Sequence, residues 1–414
     1  MAQPLSKTTE DAPYAMARHL LTLLAFIALF IGCTQEEQND AAVTTPAGEP
    51  VVTFLAAAND PTRGTAMSGT LSTDATFRVY ATQIQRSGDG YAENAEETVL
   101  IGNTGADDNV VSYQRIPAIG KEPYTWVWKT NADYFWPQDD YFVTFYAIHP
   151  ATAPALNSIL GSKSFDFTNT NETDLMYATA KTHRDDQQFT TVLENVGFNS
   201  AVKLQFHHAL AQVVFYGKLA RQLAGWGYRV EVQSIQVCNV NSKGSYVFTG
   251  RDADMGLTSA ITYFAADPIV RRNYSAAMAT ETIVSSPTDA IRLTAADDVL
   301  LMLPQRLTPW NITTENTGSD SPSTLNSYLA IQMRIRNSDG DYLLGDASNG
   351  VTVFVPFDCG VSSGWQASKR YNYTLEFGVG YYANGVARIQ PIVITAAIQD
   401  WVDETAVNTS LVQQ

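Results

Sequence analysis

Apolar and polar residues alternate with a period of two along most of the chain, and no long amphipathic stretch follows the 3.6-residue helical period. Phe77, Val79 and Ala81 alternate with Thr76, Arg78 and Tyr80. Tyr328 to Arg336 turns Leu329, Ile331, Met333 and Ile335 inward and Gln332, Arg334 and Arg336 outward. Arg229 to Cys238 alternates, then changes phase between Ser234 and Ile235. A β-bulge is predicted there, because one extra residue flips the facing of everything after it. Asp298 to Pro304 is continuously apolar, as in a fully buried strand, and Val351–Val355, Arg370–Phe377 and Ile392–Trp401 add three more strands. Many short strands between turn signals predict an all-β chain of sandwiches.

The chain has 414 residues, more than the ~250–300 at which a single core stops growing, so two units are expected. Residues 51–197 form the first and 198–401 the second, with 33–50 a polar linker before them and 402–414 a C-terminal extension. The second unit is expected to open with Val202 to Tyr216, where Leu204, Phe206, His208 and Leu210 share one strand face.

One stretch departs from the strand pattern. Leu20 to Ile31 is apolar, follows Arg18 and ends in Gly32-Cys33. It is too short for a membrane span, which needs ~20 apolar residues, and it fits a secretory signal peptide over residues 1–32. Phe30-Ile31-Gly32-Cys33 resembles a bacterial lipobox, in which the Cys33 thiol is acylated and becomes residue one. The polar residues 1–15, with Glu10 and Asp11, suggest that the true start is Met16.

Charge and cysteine content narrow the partners. Net charge is −16, unchanged by removing residues 1–32, which argues against nucleic acid and anionic lipid as partners. Cys238 and Cys359 are read as two buried free thiols. His207 and His208 are strand neighbours that face opposite ways and cannot share a metal, so a packed structural role is expected and no metal or cofactor is called. Asp339-Gly-Asp341 lacks the other ligands of a twelve-residue calcium loop. Trp126 and Trp128 share a strand face and could stack on sugar rings or pack a sheet. No serine-hydrolase elbow or nucleotide-binding glycine pattern is present, and no catalytic residue is assigned.

Several stretches together resemble the fimbrillin-like family, pilus-subunit lipoproteins of Gram-negative gut and oral anaerobes. They are the lipobox at Cys33, Thr62-Arg63 after the first strand, Tyr134-Phe-Trp-Pro137 and Phe145-Tyr-Ala-Ile-His-Pro150. Asp174-Leu-Met-Tyr-Ala178, Phe206 to Phe215, Leu303-Pro-Gln305, Tyr371 to Leu375 and Ile398-Gln-Asp-Trp401 complete the set. The resemblance implies two tandem, antiparallel, transthyretin-like β-sandwich domains and no enzymatic role. It implies transport to the outer membrane by the Cys33 lipid (a palmitate-type modification), then cleavage between Arg63 and Gly64. The first strand, with Val51, Val52 and Phe54, would be displaced, and a strand from another pilus subunit would replace it. Thr405 to Val412 would be the donor, with Val407, Thr409 and Leu411 on one face. The expected partners are other subunits of the fimbrium and a host or bacterial surface ligand. Two other functions stay open from the residues: a surface glycan-binding lipoprotein using Trp126, Trp128 or Trp136, and a secreted hydrolase with paired carboxylates.

Overall fold

The computed structural model describes residues 51–58, 69–88, 90–102, 107–116, 125–137, 140–183, 201–249, 261–280, 282–296, 298–311, 323–378, 380–383, 386–389 and 392–400. Nearly all regular structure there is β, and the α-helix among these residues is the single short turn Arg221–Gly225. No helix of the described residues is long and apolar enough to cross a membrane.

The first half contributes β1 (Phe54–Ala58), β2 (Phe77–Ser87), β3 (Val110–Ile116), β4 (Thr125–Thr130), β5 (Tyr141–His149), β6 (Ser164–Thr168), β7 (Met176–His183) and β8 (Val202–His208). All but β6 pair in the order β1-β8-β7-β5-β2-β3-β4, and β4 returns to β1 through the pair Phe54–Trp128. The sheet therefore closes on itself as a seven-stranded barrel rather than the two-layer sandwich expected for this half. Closure arises because β1 has a neighbour on each side. It runs parallel to β8, with Phe54 opposite Val202 and Ala58 opposite Phe206, which also corrects the expectation of purely antiparallel sheets. Alternate side chains fill the interior: Val52, Phe54 and Ala56 meet Phe77 and Val79, Val143 and Phe145, Leu204 and Phe206.

Tyr80 of β2, Tyr146 and Ile148 of β5 and Tyr177 of β7 point the other way, yet they are buried too. A three-stranded sheet covers them: β6 with β9 (Lys243–Phe248) and β10 (Ile261–Ala265). Phe165, Phe167, Tyr246 and Phe248 pack on the barrel's outer wall, so β9, from the second half of the sequence, joins the two halves. Polar bonds lock the seam: Asn169 Nδ2 donates to the Leu301 carbonyl at 2.6 Å, and the Leu301 N–H donates to Asn171 Oδ1 at 2.6 Å.

The second half is a two-sheet sandwich. A five-stranded sheet centres on Ala211–Leu219, which runs parallel to Lys369–Phe377, and Val393–Asp400 forms its outer edge. A six-stranded sheet centres on Arg229–Asn241 and Tyr328–Arg336. Val213, Phe215, Tyr373 and Phe377 from one face Val232, Val237, Ile331 and Met333 from the other. The bulge predicted beside Ser234 is present as a register shift between Val232 and Ser234. Cys238 and Cys359 are both free and buried.

The stretch Val202 to Tyr216 is divided between the two halves. Val202–His208 belongs to the barrel, whereas Ala211–Leu219 belongs to the sandwich. The crossing at Ala209-Leu210 is fully buried, with the Ala209 N–H bonded to the Leu175 carbonyl and the Ala209 carbonyl accepting from Tyr246 Oη at 2.9 Å. His208 Nδ1 lies 3.0 Å from Asp174 Oδ1, a packed and hydrogen-bonded position.

Burial pushes the imidazoles of His149 and His207 below the usual histidine range. For His149, desolvation outweighs the Thr76 carbonyl and Asp174, which favour its charged form, and His208 opposes that form further. The unfolded chain therefore protonates first. Stability is full above about 6.5, is lost as pH falls through the interval between that value and the depressed folded values, and levels off below. The thermal midpoint is expected to fall between about pH 7.5 and 5.5, and to fall less in a His149→Gln, His207→Gln double variant. An equal fall in that variant places the effect elsewhere.

Candidate functional site

The first strand is the element whose setting is unlike that of any ordinary stave. Its sequence, Val51-Val-Thr-Phe-Leu-Ala-Ala-Ala58, is apolar on both faces. Val52 and Phe54 are 0% and 1% exposed, and the outward Val51, Thr53 and Ala57 are also buried. The Phe54 ring meets Phe145 edge-on at 5.7 Å and Phe77 at 6.3 Å, near the centre of the barrel.

Its backbone is held on both sides. The Val52 N–H donates to the Tyr134 carbonyl at 2.8 Å, Val51 bridges Phe135, and Phe54 pairs with Trp128 of β4. On the other edge the Val202 N–H donates to the Thr53 carbonyl at 2.8 Å, and five residues of β1 are in register with β8. The opposite neighbour of β8 is β7, in register only at Met176–His208 and Tyr177–His207. Most of the β8 ladder therefore depends on β1. Taking β1 away would strip β8 of those partners and uncover Phe77, Phe145 and Phe206.

The magnitude is considerable. Burying Val or Phe is worth roughly 1.5–3 kcal/mol each, so Val51, Val52 and Phe54 together contribute on the order of 5–9 kcal/mol. Whole domains are stable by about 5–15 kcal/mol. That gross burial is of the same order as the net stability of a whole domain, before the entropy of ordering the strand is subtracted.

Of the residues singled out from sequence, Val51, Val52 and Phe54 are brought together in this seat. Arg63 and Gly64 belong to the connection 59–68 between Ala58 and Gly69, and they lie outside the described residues, as do Cys33, Val407, Thr409 and Leu411. The three tryptophans separate. Trp128 and Trp136 are 5% and 2% exposed and pack the barrel, whereas Trp126 is 49% exposed and stacks on Tyr113 at 5.5 Å. Tyr113, which the sequence alone does not single out, is set opposite Trp128 and diagonal to Trp126 by the β3–β4 register, and its ring packs against both.

Reactive chemistry finds little support. Burial pushes the Cys238 thiol up to about 11 and raises that of Cys359, so both stay protonated and poorly nucleophilic at neutral pH. Among the described residues no three His, Cys, Asp or Glu side chains are grouped to hold a metal ion.

Comparison with known proteins supplies the context. The profile of the family described as Fimbrillin-like matches residues 62–401, a range that begins just after β1. A fimbrial protein from Bacteroides vulgatus aligns over 84% of this chain and 99% of its own, at 16% identity and a TM-score of 0.49. The fimbrial anchor protein Mfa2 from Porphyromonas gingivalis aligns over 85% of this chain and 98% of its own, at 10% identity and a TM-score of 0.31. The search of curated proteins returned no match.

Phe54→Ala in the full chain should cost about 3–5 kcal/mol, measured by urea denaturation, because it empties the barrel centre. Leu55→Ala, one position along and half-buried, should cost clearly less. Equal costs would mean that β1 does not seat as described.

Proposed function

Because the chain belongs to the fimbrillin-like family, we propose that it is a pilus subunit that polymerises by exchanging its first strand. Family membership supports the coarser statement, a pilus-type subunit at the cell surface that associates with other subunits. The observation that carries the finer one is the seat of β1. This strand is the first of the described strands in sequence, is held by backbone bonds on both edges, and its connection onward runs through the segment containing Arg63.

The proposed sequence of events follows from that placement. The Cys33 lipid holds the exported chain at the outer membrane. Cleavage after Arg63 severs β1 from the barrel and leaves a groove between β4 and β8 with unpaired N–H and C=O groups and an exposed apolar floor. An incoming strand satisfies both, which is β-strand addition. Thr405 to Val412 of a neighbouring subunit, presenting Val407, Thr409 and Leu411, is the donor. The contact is head-to-tail and does not close, so it propagates as a filament. The two-sheet second half suits the transthyretin-like description, and the role is structural rather than enzymatic.

The test is Arg63→Ala. Mass and N-terminal analysis of surface material should show wild-type chains beginning at Gly64 and variant chains retaining acylated Cys33, with filaments absent from electron micrographs of the variant. Normal processing in the variant removes Arg63 from the scheme.

A second reading, surface glycan binding without polymerisation, rests on the exposed Trp126 stacked on Tyr113. It predicts glycan binding that Trp126→Ala abolishes while the thermal midpoint is unchanged. Glycan-array binding that is equal for both proteins rules it out.

A further inference from the structure

We propose that the second half carries a binding site for a small carboxylate-bearing saccharide, in a cleft between Asn239–Asn241, Tyr263, Gln305-Arg306 and Leu325–Ser327. The cleft measures about 350 Å³, within the range of small-ligand sites. A neighbouring cavity of about 360 Å³, here called the second lobe, is also lined by Tyr263, Pro304, Gln305 and Arg306, so Arg306 belongs to the lining of both.

Its charge is opposite to that of the molecule. The chain has 42 acidic against 26 basic residues, yet the described residues lining the two lobes include Arg271 and Arg306 and no Asp or Glu. Arg271 is anchored by its Nε, which donates to the Leu325 carbonyl at 2.7 Å, so the other guanidinium nitrogens are left for a ligand. Arg306 is exposed and makes no ion pair among the described residues. A guanidinium presents a planar donor fork that matches a carboxylate, and the net charge of −16 disfavours extended polyanions such as nucleic acid. Those two facts select a small ligand of low charge.

The walls select the saccharide. Gln305 Oε1 accepts from the Asn241 N–H at 2.8 Å, and its Nε2 donates back to the Asn241 carbonyl at 3.1 Å. Asn241 Nδ2 donates to Tyr263 Oη at 2.8 Å, which fixes the tyrosine ring at the junction of the lobes. Asn239 Nδ2 donates to the carbonyls of Ser323 and Asn326. These bonds hold the wall side chains in place before any ligand arrives, which lowers the entropy lost on binding. It combines the Tyr263 ring, the Thr308 hydroxyl and amides already bonded within the protein with a rim of the exposed Ile269 and Leu325. A sugar ring, polar at its edge and apolar on its face, fits this mixture better than a free carboxylate. The site is remote in sequence from β1 and does not depend on polymerisation.

Calorimetric titration of the purified, unprocessed full chain tests the assignment. The probes are galacturonic acid and N-acetylneuraminic acid, with galactose, methyl galacturonate and inorganic phosphate as controls. At least one acidic sugar should bind, and galactose and the methyl ester should not. Arg306→Ala should weaken that binding about tenfold or more, with an unchanged thermal midpoint, and Arg306→Lys should recover part of it. Should Arg306→Ala lower the midpoint, Thr308→Ala and Arg306→Lys serve as the reporting variants, each expected to weaken binding measurably. Binding of phosphate as tight as that of the sugars overturns the saccharide class. Absence of binding by either acid at millimolar concentration, or affinity indifferent to Arg306, overturns the site. None of these outcomes alters the Arg63 processing result.

Discussion

A closed sheet has no free edge, so each stave must pair on both sides, and here closure depends on the parallel contact between β1 and β8. Five residues of β1 complete a ladder that β7 joins at only two positions. The same five residues place Phe54 against Phe77 and Phe145 in the interior. Backbone pairing and core filling therefore stand or fall together. A strand with these properties can be exchanged only for another of similar pattern, because a vacancy exposes both polar edges and apolar floor. That coupling is what the proposal of strand exchange at β1 rests on.

The barrel's outer wall is the second constraint. Antiparallel sheets commonly leave one face to water. Here Tyr80, Tyr146 and Tyr177 are instead covered by the sheet of β6, β9 and β10, which draws strands from both halves of the chain. Tyr246 is the hinge pin of this seam, packed on Phe165 and bonded through its hydroxyl to the Ala209 carbonyl. The barrel and the sandwich thereby share buried surface as well as a linking chain.

Electrostatics divides the surface in a way that total charge conceals. Bidentate bonds between Arg334 and Glu231 neutralise one basic group of the six-stranded sheet, whereas Arg271 and Arg306 line a cleft with no Asp or Glu among its described residues. The average over the molecule describes which macromolecules it repels. The local arrangement describes which small ligands it can hold.

Alternation along the chain determined the all-β class, the inward face of Tyr328–Arg336 and the bulge beside Ser234, since facing follows directly from a two-residue period. The family resemblance, not alternation, singled out Val51, Val52 and Phe54 as the first strand. Neither revealed that this strand runs parallel to β8, that the first sheet closes, or that Val202 to Tyr216 changes sheets at Ala209. Period and propensity are properties of one strand, whereas direction, closure and sheet membership are properties of pairs far apart in sequence. For the same reason Trp126 and Trp128, alike on paper, differ in burial. Only the tertiary structure decided that Trp128 is buried while Trp126 is half exposed, with the Tyr113 ring against both.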